Sequence, residues 1–346
     1  MTAPRGPGSL PGVRVALYHG AGRLTLEERP DPVAGPGELV VRVRACGLCG
    51  SDLMQWYQDP RAPVVLGHEP AGEVVDAGPG APFAAGDRVF VHHHVPCMTC
   101  SLCRAGRHTL CETFRRTRID PGGLAELILV PAENARLDTL ALPAQVSDSD
   151  ATLIEPLGCV LRGQRWAGVA PGSRVAVVGA GARGLLEIGA ALAAGAERVV
   201  AVEPREDRRA LALRGGAVAA FAVDDPGAVR DALGGLADQV FVCTTKADAI
   251  AGALHLAGPA GVVQLFAPPR PGTAVALDLG AVFFREVTIQ STYSAGPLDT
   301  RDALALLAAA AIPTRGLISH HLPLDEVEEA FRLARSGEAT KVVVLP

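Results

Sequence analysis

The sequence predicts two domains, an irregular all-β region followed by an α/β region built on a parallel sheet. The length of the chain and a change of texture near residue 170 are the observations behind this. At 346 residues the chain exceeds what one hydrophobic core ordinarily organises. From Val13 to Phe90 the apolar runs are short and punctuated by Gly and Pro, as in VRVALYH, ELVVRVRAC, PAGEVVDAG and GDRVFVHHH. Such runs, without long helical periods, read as strands of a barrel-like β region. After Pro171 apolar strands alternate with Ala-rich helices: RVAVVGAG, ARGLLEIGAALAAGA, ERVVAVE, then REDRRALALRGG. That alternation is the mark of βαβ units in a parallel sheet. Later strands fall at QVFVCT, GVVQLFAP and EVTIQSTY, and the tail from Leu298 predicts two helices and a closing strand.

Composition narrows the class of function. Hydrophobic residues make up 49% and charged residues 20%, an ordinary globular balance. A formal net charge of -5 gives no field to attract nucleic acid or an anionic membrane, so neither partner is expected. The opening dozen residues, MTAPRGPGSLPG, hold no apolar core of a signal peptide, and they read as a disordered lead-in to a cytoplasmic protein. The longest uncharged run, Ala249 to Pro269, contains His255, Gln264 and a Gly-Pro-Ala-Gly breaker, so it reads as helix, turn and buried strand rather than a membrane span. Lys246 and Lys341 are the only lysines, an imbalance that reads as codon usage. Eight cysteines in an intracellular chain of this length argue for metal or catalysis before disulfides.

Four of them, Cys97, Cys100, Cys103 and Cys111, are spaced C-x2-C-x2-C-x7-C in a polar lobe at about residues 95–113. Four thiolates from one compact loop can enclose a tetrahedral zinc with no position left for water, which makes a structural site. An iron–sulfur cluster is the weaker alternative, and the negative net charge weighs against a nucleic-acid-binding zinc ribbon.

Cys46 and Cys49 in CGLCGSD then need a separate account, as do His68 and Glu69 in GHE and Glu155 in LIEPLGCVL. A carboxylate in an apolar stretch is costly unless paired or metal-bound. Cysteine, histidine and glutamate with an open position describe a catalytic zinc site. Singly, His68 reads as a hydrogen-bonded core histidine, Glu155 as a surface acid and Cys49 as a small apolar filler.

The combination, in the order CGLCGSD, GHE, four-cysteine lobe, EP and dinucleotide fingerprint, resembles the zinc-dependent medium-chain dehydrogenases, in the sorbitol and threonine dehydrogenase branch. The resemblance covers essentially the whole chain after residue 12. It implies a GroES-like irregular β-barrel catalytic domain over residues 1–160, a Rossmann doubly wound parallel-sheet domain over 161–290, and a C-terminal segment, 291–346, that returns to the catalytic domain. It also implies two zinc ions per chain. By the same resemblance Cys49 is the zinc cysteine and Cys46 is packing, His68 is the second ligand, and Glu69 and Glu155 are both candidates for the remaining places. Asp52 would orient His68, and Ser51 would take the alcohol proton. His93 and Tyr57 would line the substrate pocket, with Gln55 and Trp56 beside them. One departure is Met54, which stands where some members carry a histidine relay.

Gly179-Ala-Gly181-Ala-Arg-Gly184 follows the strand VAVV and opens a helix, the setting in which G-x-G-x-x-G holds a dinucleotide pyrophosphate. Glu203, nineteen residues after Gly184, is placed to accept from the adenosine ribose hydroxyls, which favours NAD. Arg205, Arg208 and Arg209 follow and keep NADP open, though they also read as a solvated helix start. Arg183 is a second departure, since family members carry a small apolar residue there near the nicotinamide.

The expected activity is reversible hydride transfer between a small-molecule secondary alcohol or its ketone and NAD(P), with zinc as Lewis acid and a homodimer or homotetramer as the assembly. A polyol or cyclitol is the expected substrate, because simple-alcohol members tend to be apolar where this chain has His93. The alternatives are a zinc-independent quinone or enone reductase of the same fold, and a non-catalytic zinc-stabilised nucleotide-binding protein.

Overall fold

The structure, a computed structural model, describes residues 12–223 and 225–346. The lead-in expected at the N-terminus lies, up to residue 11, outside the described residues.

The chain forms two compact units. One runs to Thr152 and resumes at His320, and the other spans Leu153–Ser319. The first opens with β1 (Gly12–Tyr18) and β2 (Leu24–Pro30), an antiparallel pair, and continues through β3 (Leu39–Gly47), β4 (Val64–Val65), β5 (Glu69–Ala77), β6 (Arg88–Val91), β7 (Leu127–Val130) and β8 (Thr139–Ala141). Residue alternation sets which face is buried. In β3, Val41 and Val43 enter the core with Leu39, Val74, Val89 and Ile128, whereas Arg42 and Arg44 face out, Arg44 pairing with Glu73 of β5 at 2.9 Å.

The second unit carries β9 (Arg174–Val178), β10 (Arg198–Val202), β11 (Ala219–Phe221), β12 (Ala237–Val242), β13 (Ala257–Leu265) and β14 (Thr288–Ser291). All pair in parallel, in the order β11-β10-β9-β12-β13-β14. Counted from β9 this is the 3-2-1-4-5-6 order of a doubly wound dinucleotide-binding sheet. Both faces are covered. Val175, Val177 and Val199 pack into one apolar cluster while Ala176, Val178 and Val200 pack into another, as alternation on a two-sided sheet demands. The uncharged stretch from Ala249 resolves into the end of the helix Ala247–Leu256 and β13. Among the described residues no helix is long and apolar enough to cross a membrane.

The unit limits differ from the expected 160 and 290. The helix Ile154–Ala167 belongs wholly to the second unit, and the helix Pro297–Ala308 packs on it. Arg165 is paired with Asp299 and with Asp302, the latter at 2.7 Å, and the close approach of Ala295 beside Gly158 draws the chain after β14 to the same unit. Only at His320 does the chain rejoin the first unit, through β15 (His320–Pro323) and β16 (Val342–Leu345), parallel to one another. β16 then pairs antiparallel with β3, Val343 opposite Gly47 and Val344 opposite Cys46.

Candidate functional site

In the antiparallel β3–β5 ladder Gly47 stands opposite Glu69. The register therefore brings the residues just past the ladder, Cys49 and His68, together with Glu69 itself. Their ligand atoms all lie within 4.8 Å of one another. Cys49 caps a short 3-10 turn, Gly50–Leu53, and the Asp52 carboxylate closes it by accepting the Cys49 backbone N–H at 2.9 Å. The other Asp52 oxygen lies 3.3 Å from His68 Nδ1. An acid on Nδ1 fixes the imidazole so that Nε2 is the ligating nitrogen. Burial alone would lower the His68 pKa, but the Asp52 and Cys49 charges hold it well above the usual value. Burial likewise disfavours ionised Asp52, and His68 outweighs that and holds its pKa below the ordinary range.

A thiol, an imidazole and a carboxylate that converge in this way suit zinc and leave a fourth position for a ligand. Cys46 stands apart. It is fully buried against Gly67 and Gly123, and burial, with Glu69 and Asp52 adding to it, pushes its thiol up to about 12. Ser51 is half-buried on the Asp52 turn, its carbonyl accepting Gln58 Nε2 at 3.0 Å. Sequence reasoning missed Lys341, whose ammonium donates to Glu69 Oε2 and to the Leu48 carbonyl at 3.0 Å. Its isolation among arginines was the only available signal.

The three successive histidines take different partners, although the His93 and His94 ring centroids lie 3.8 Å apart. β6 ends at Val91, so the strand expected to carry His92 to His94 stops short of them. His92 is buried and pairs with Asp138 at 2.6 Å, and the His94 ring bonds the Thr117 carbonyl. His93 instead faces the zinc candidates, its ring centroid 5.0 Å from that of His68. Burial and the neighbouring imidazoles of His94, His68 and His92 depress its pKa well below the ordinary value, so it is neutral at neutral pH. Tyr57 lies under the Arg61 guanidinium, 3.7 Å from its ring centroid, and edge-on to Trp56. Met54 links the Asp52 turn to the short helix Gln55–Gln58 that carries Tyr57.

Cys97, Cys100, Cys103 and Cys111 also converge within 4.8 Å. The 3.9 Å between the Cys97 and Cys103 sulfurs is near the ~3.8 Å edge of a tetrahedron with zinc–sulfur bonds of about 2.3 Å. Backbone N–H groups point at the sulfurs: Thr99 and Cys100 at Cys97 Sγ, 3.4 and 3.3 Å away, and Cys97 at Cys111 Sγ, 3.4 Å away. Such donors stabilise thiolate, and with the Thr99 contacts leading they lower Cys97 to about 5.

Glu155, the other acidic candidate, lies in the second unit on the helix Ile154–Ala167, where it accepts the Cys159 thiol at 3.2 Å. The donor cluster of the first unit includes Glu69. In the second unit the glycine loop joins β9 to the helix Ala182–Ala193. A Cβ at Gly184 would collide with the Gly179 carbonyl, so the tight turn needs glycine there. Glu203, just after β10, accepts the Ala180 N–H at 2.8 Å and the Arg205 N–H at 3.0 Å. Arg205 pairs with Asp207 at 2.8 Å, and Arg209 bonds the carbonyls of Glu203 and Pro204. Arg208 reaches over the loop, 3.9 Å from the place of a Cβ on Gly181. Arg183 carries its guanidinium 5.6 Å from the Phe266 ring centroid.

Comparison with known proteins accords with this layout. Residues 35–140 match the family model "Alcohol dehydrogenase GroES-like domain", and residues 182–309 match "Zinc-binding dehydrogenase". The chain is 32% identical to an L-threonine 3-dehydrogenase of Bacillus velezensis, over 93% of this chain and 95% of that protein. It is 30% identical to a protein described as a probable D-xylulose reductase A of Aspergillus clavatus, over 95% of both chains. Among solved structures, one described as a putative zinc-binding dehydrogenase of Sinorhizobium meliloti, bound to NADP, superposes with a TM-score of 0.86 at 30% identity, covering 97% of this chain and all of that one.

Proposed function

This chain belongs to the zinc-dependent medium-chain alcohol dehydrogenases, in the branch of the threonine and sorbitol enzymes, and is an NAD(P)-dependent oxidoreductase of alcohols; from that membership we propose that it oxidises a polyol, cyclitol or related polar secondary alcohol with NAD. The convergence of Cys49, His68 and Glu69 with Asp52 behind His68 carries the reading.

In the proposed reaction the bound zinc supplies a Lewis acid that makes a hydroxyl more acidic, and the nicotinamide supplies the hydride acceptor. Cys49, His68 and Glu69 hold the catalytic ion, and Cys97, Cys100, Cys103 and Cys111 hold a structural one, giving two zinc ions per chain. Asp52 keeps His68 in one tautomer. Ser51 takes the proton of the substrate hydroxyl, and with Met54 in place of a histidine the proton leaves by water or the cofactor ribose. His93 and Tyr57 offer polar contacts to the remaining hydroxyls. Glu155 stays an acidic group of the second unit, outside the resting ligand set.

The cofactor site comprises Gly179, Gly181, Arg183, Gly184 and Glu203. NAD is favoured over NADP because Glu203 would repel a 2′-phosphate while Arg205 and Arg209 are engaged with Asp207 and backbone carbonyls. Five of the eight cysteines are placed as zinc ligands, a use of cysteine that supports a reducing compartment such as the cytoplasm. A homodimer or homotetramer is supported by β14, the outer strand of the parallel sheet, and by the adjacent Phe283 and Phe284, 76% and 86% exposed.

The test is a panel of polyols, cyclitols, amino alcohols and simple secondary alcohols with each cofactor, followed by nicotinamide absorbance alongside zinc analysis. NAD reduction by a polyhydroxylated member, by protein holding two zinc ions, is expected. Zinc-loaded protein inert toward the whole panel would refute the reading.

A further inference from the structure

We propose that Lys341 is a positioning residue for the metal centre: its ammonium shares the Glu69 carboxylate with the metal and so sets how strongly Glu69 joins Cys49 and His68 as a donor. This rests on the zinc reading above and deepens it.

The pair is buried at both ends. Lys341 is 5% exposed and Glu69 is fully buried. A lysine is rarely placed so deep without a charged partner. Lys341 sits at the edge of β16, which pairs with β3 beside Gly47, and the Leu48 amide donates to the Val342 carbonyl at 3.0 Å. That pairing aims the lysine at the turn carrying Cys49. There Nζ donates to the Leu48 carbonyl and to Glu69 Oε2. The site is cleared for this contact. A Cβ on Gly47 would collide with the Glu69 carboxylate and would stand 3.0 Å from Lys341 Cε.

Charge then decides what the contact does. Asp52 faces His68, and Lys341 is a cation paired directly with Glu69. A metal among Cys49, His68 and Glu69 is a second cation drawing on the same carboxylate. A carboxylate has sites for both, yet each cation weakens the hold of the other. The compact ammonium suits this role better than the planar fork of an arginine, because it can hold one oxygen as a point charge. Lys341 thus keeps the Glu69 charge compensated before metal arrives and moderates its donation afterwards. A lysine that merely pinned β16 would support metal-free and metal-loaded protein equally.

The experiment compares zinc affinity at the labile site, by competition with a chelator of known affinity, in full-length wild type, Lys341→Met, Lys341→Gln, Glu69→Gln and the Glu69→Gln/Lys341→Met double variant. Lys341→Gln keeps amide donors for Leu48 and Glu69, so it carries the comparison should Lys341→Met fail to fold. Loss of the ammonium should tighten zinc about tenfold or more, with a larger zinc-induced rise in Tm than in wild type, and the gain should shrink in the Glu69→Gln background. Unchanged or weaker zinc affinity in the Lys341 variants overturns the inference. So does an equal gain with and without Glu69, because Lys341 would then act on the metal by charge alone. Wild type that takes up only one zinc overturns the zinc reading and this inference with it, whereas two zinc ions with no effect of Lys341 overturn this inference alone.

Discussion

Asp52 serves His68 with one carboxylate oxygen, 3.3 Å from Nδ1, and holds the Cys49 backbone N–H with the other, at 2.9 Å. A single side chain therefore sets both the tautomer of the imidazole and the turn that presents the thiol. In Asp52→Asn the amide oxygen can keep the Cys49 N–H, but the amide NH2 then faces Nδ1 and favours the proton on Nε2, the wrong tautomer for a metal ligand. Labile zinc should bind about 10–100-fold more weakly with little loss of thermal stability. Chelator competition on the purified variant measures this, and wild-type affinity would show that Asp52 does not orient the ligand.

The two cysteines of CGLCGSD should separate in the same assay. Cys49→Ala should remove the labile zinc and leave the four-cysteine ion in place. Cys46→Ala, which only trims a thiol packed on Gly67 and Gly123, should cost about 1 kcal/mol of stability and no metal. Equal zinc loss in both variants would mean that the thiols are assigned the wrong way round.

What the sequence shows of this site is what lies close together along it. CGLCGSD, GHE and the four cysteines each place their donors within a few residues, and the glycine fingerprint sits between a strand and a helix that its own texture reveals. The partners that tie these pieces together are distant. Lys341 reaches Glu69 across 272 residues, through a strand pairing that no local pattern encodes. The alternation of VFVHHH suggested a longer strand, but the His92 N–H bonds the Asp138 carbonyl, and each imidazole then follows its own partner. The compact units, divided after Thr152 and Ser319, differ from the expected limits at 160 and 290. The helix pair that fixes this division depends on Arg165 meeting Asp299 and Asp302, a tertiary contact.

Glu187 shows how texture can mislead about burial. Its segment, ARGLLEIGAALAAGA, shows only as an Ala-rich helix, yet Glu187 is fully buried, receiving Gln164 Nε2 at 2.8 Å on Oε2. Oε1 meets no hydrogen-bond partner among the described residues. Burial raises its pKa well above the usual carboxylate value, against the pull of Gln164 and Arg183. The folded state thus keeps a proton that the unfolded chain releases above its ordinary pKa. Stability is lost as pH rises from there toward the folded pKa, by up to about 1.4 kcal/mol per pH unit. Glu187→Gln mimics the protonated acid and should stabilise the protein near pH 8 more than near pH 5. Thermal unfolding across that range tests it, and a variant less stable than wild type at every pH would contradict the assignment.

The substrate prediction rests on His93. Its ring lies beside His68, it is neutral, and its buried Nδ1 meets no hydrogen-bond partner among the described residues. A neutral imidazole offers one donor and one acceptor, and a ring beside His68 is placed to turn one of them toward a substrate hydroxyl. A site built to bond hydroxyls rejects analogues that lack them far more strongly than an apolar pocket rejects an added methylene. Wild-type kcat/KM for a polyol or cyclitol should therefore exceed that for 2-butanol by about a hundredfold or more. His93→Phe should erase most of that ratio by losing the polyol, while zinc content stays at two. If the wild-type enzyme turns over 2-butanol faster than any polyol, His93 does not serve substrate hydroxyls and the polar-alcohol assignment fails.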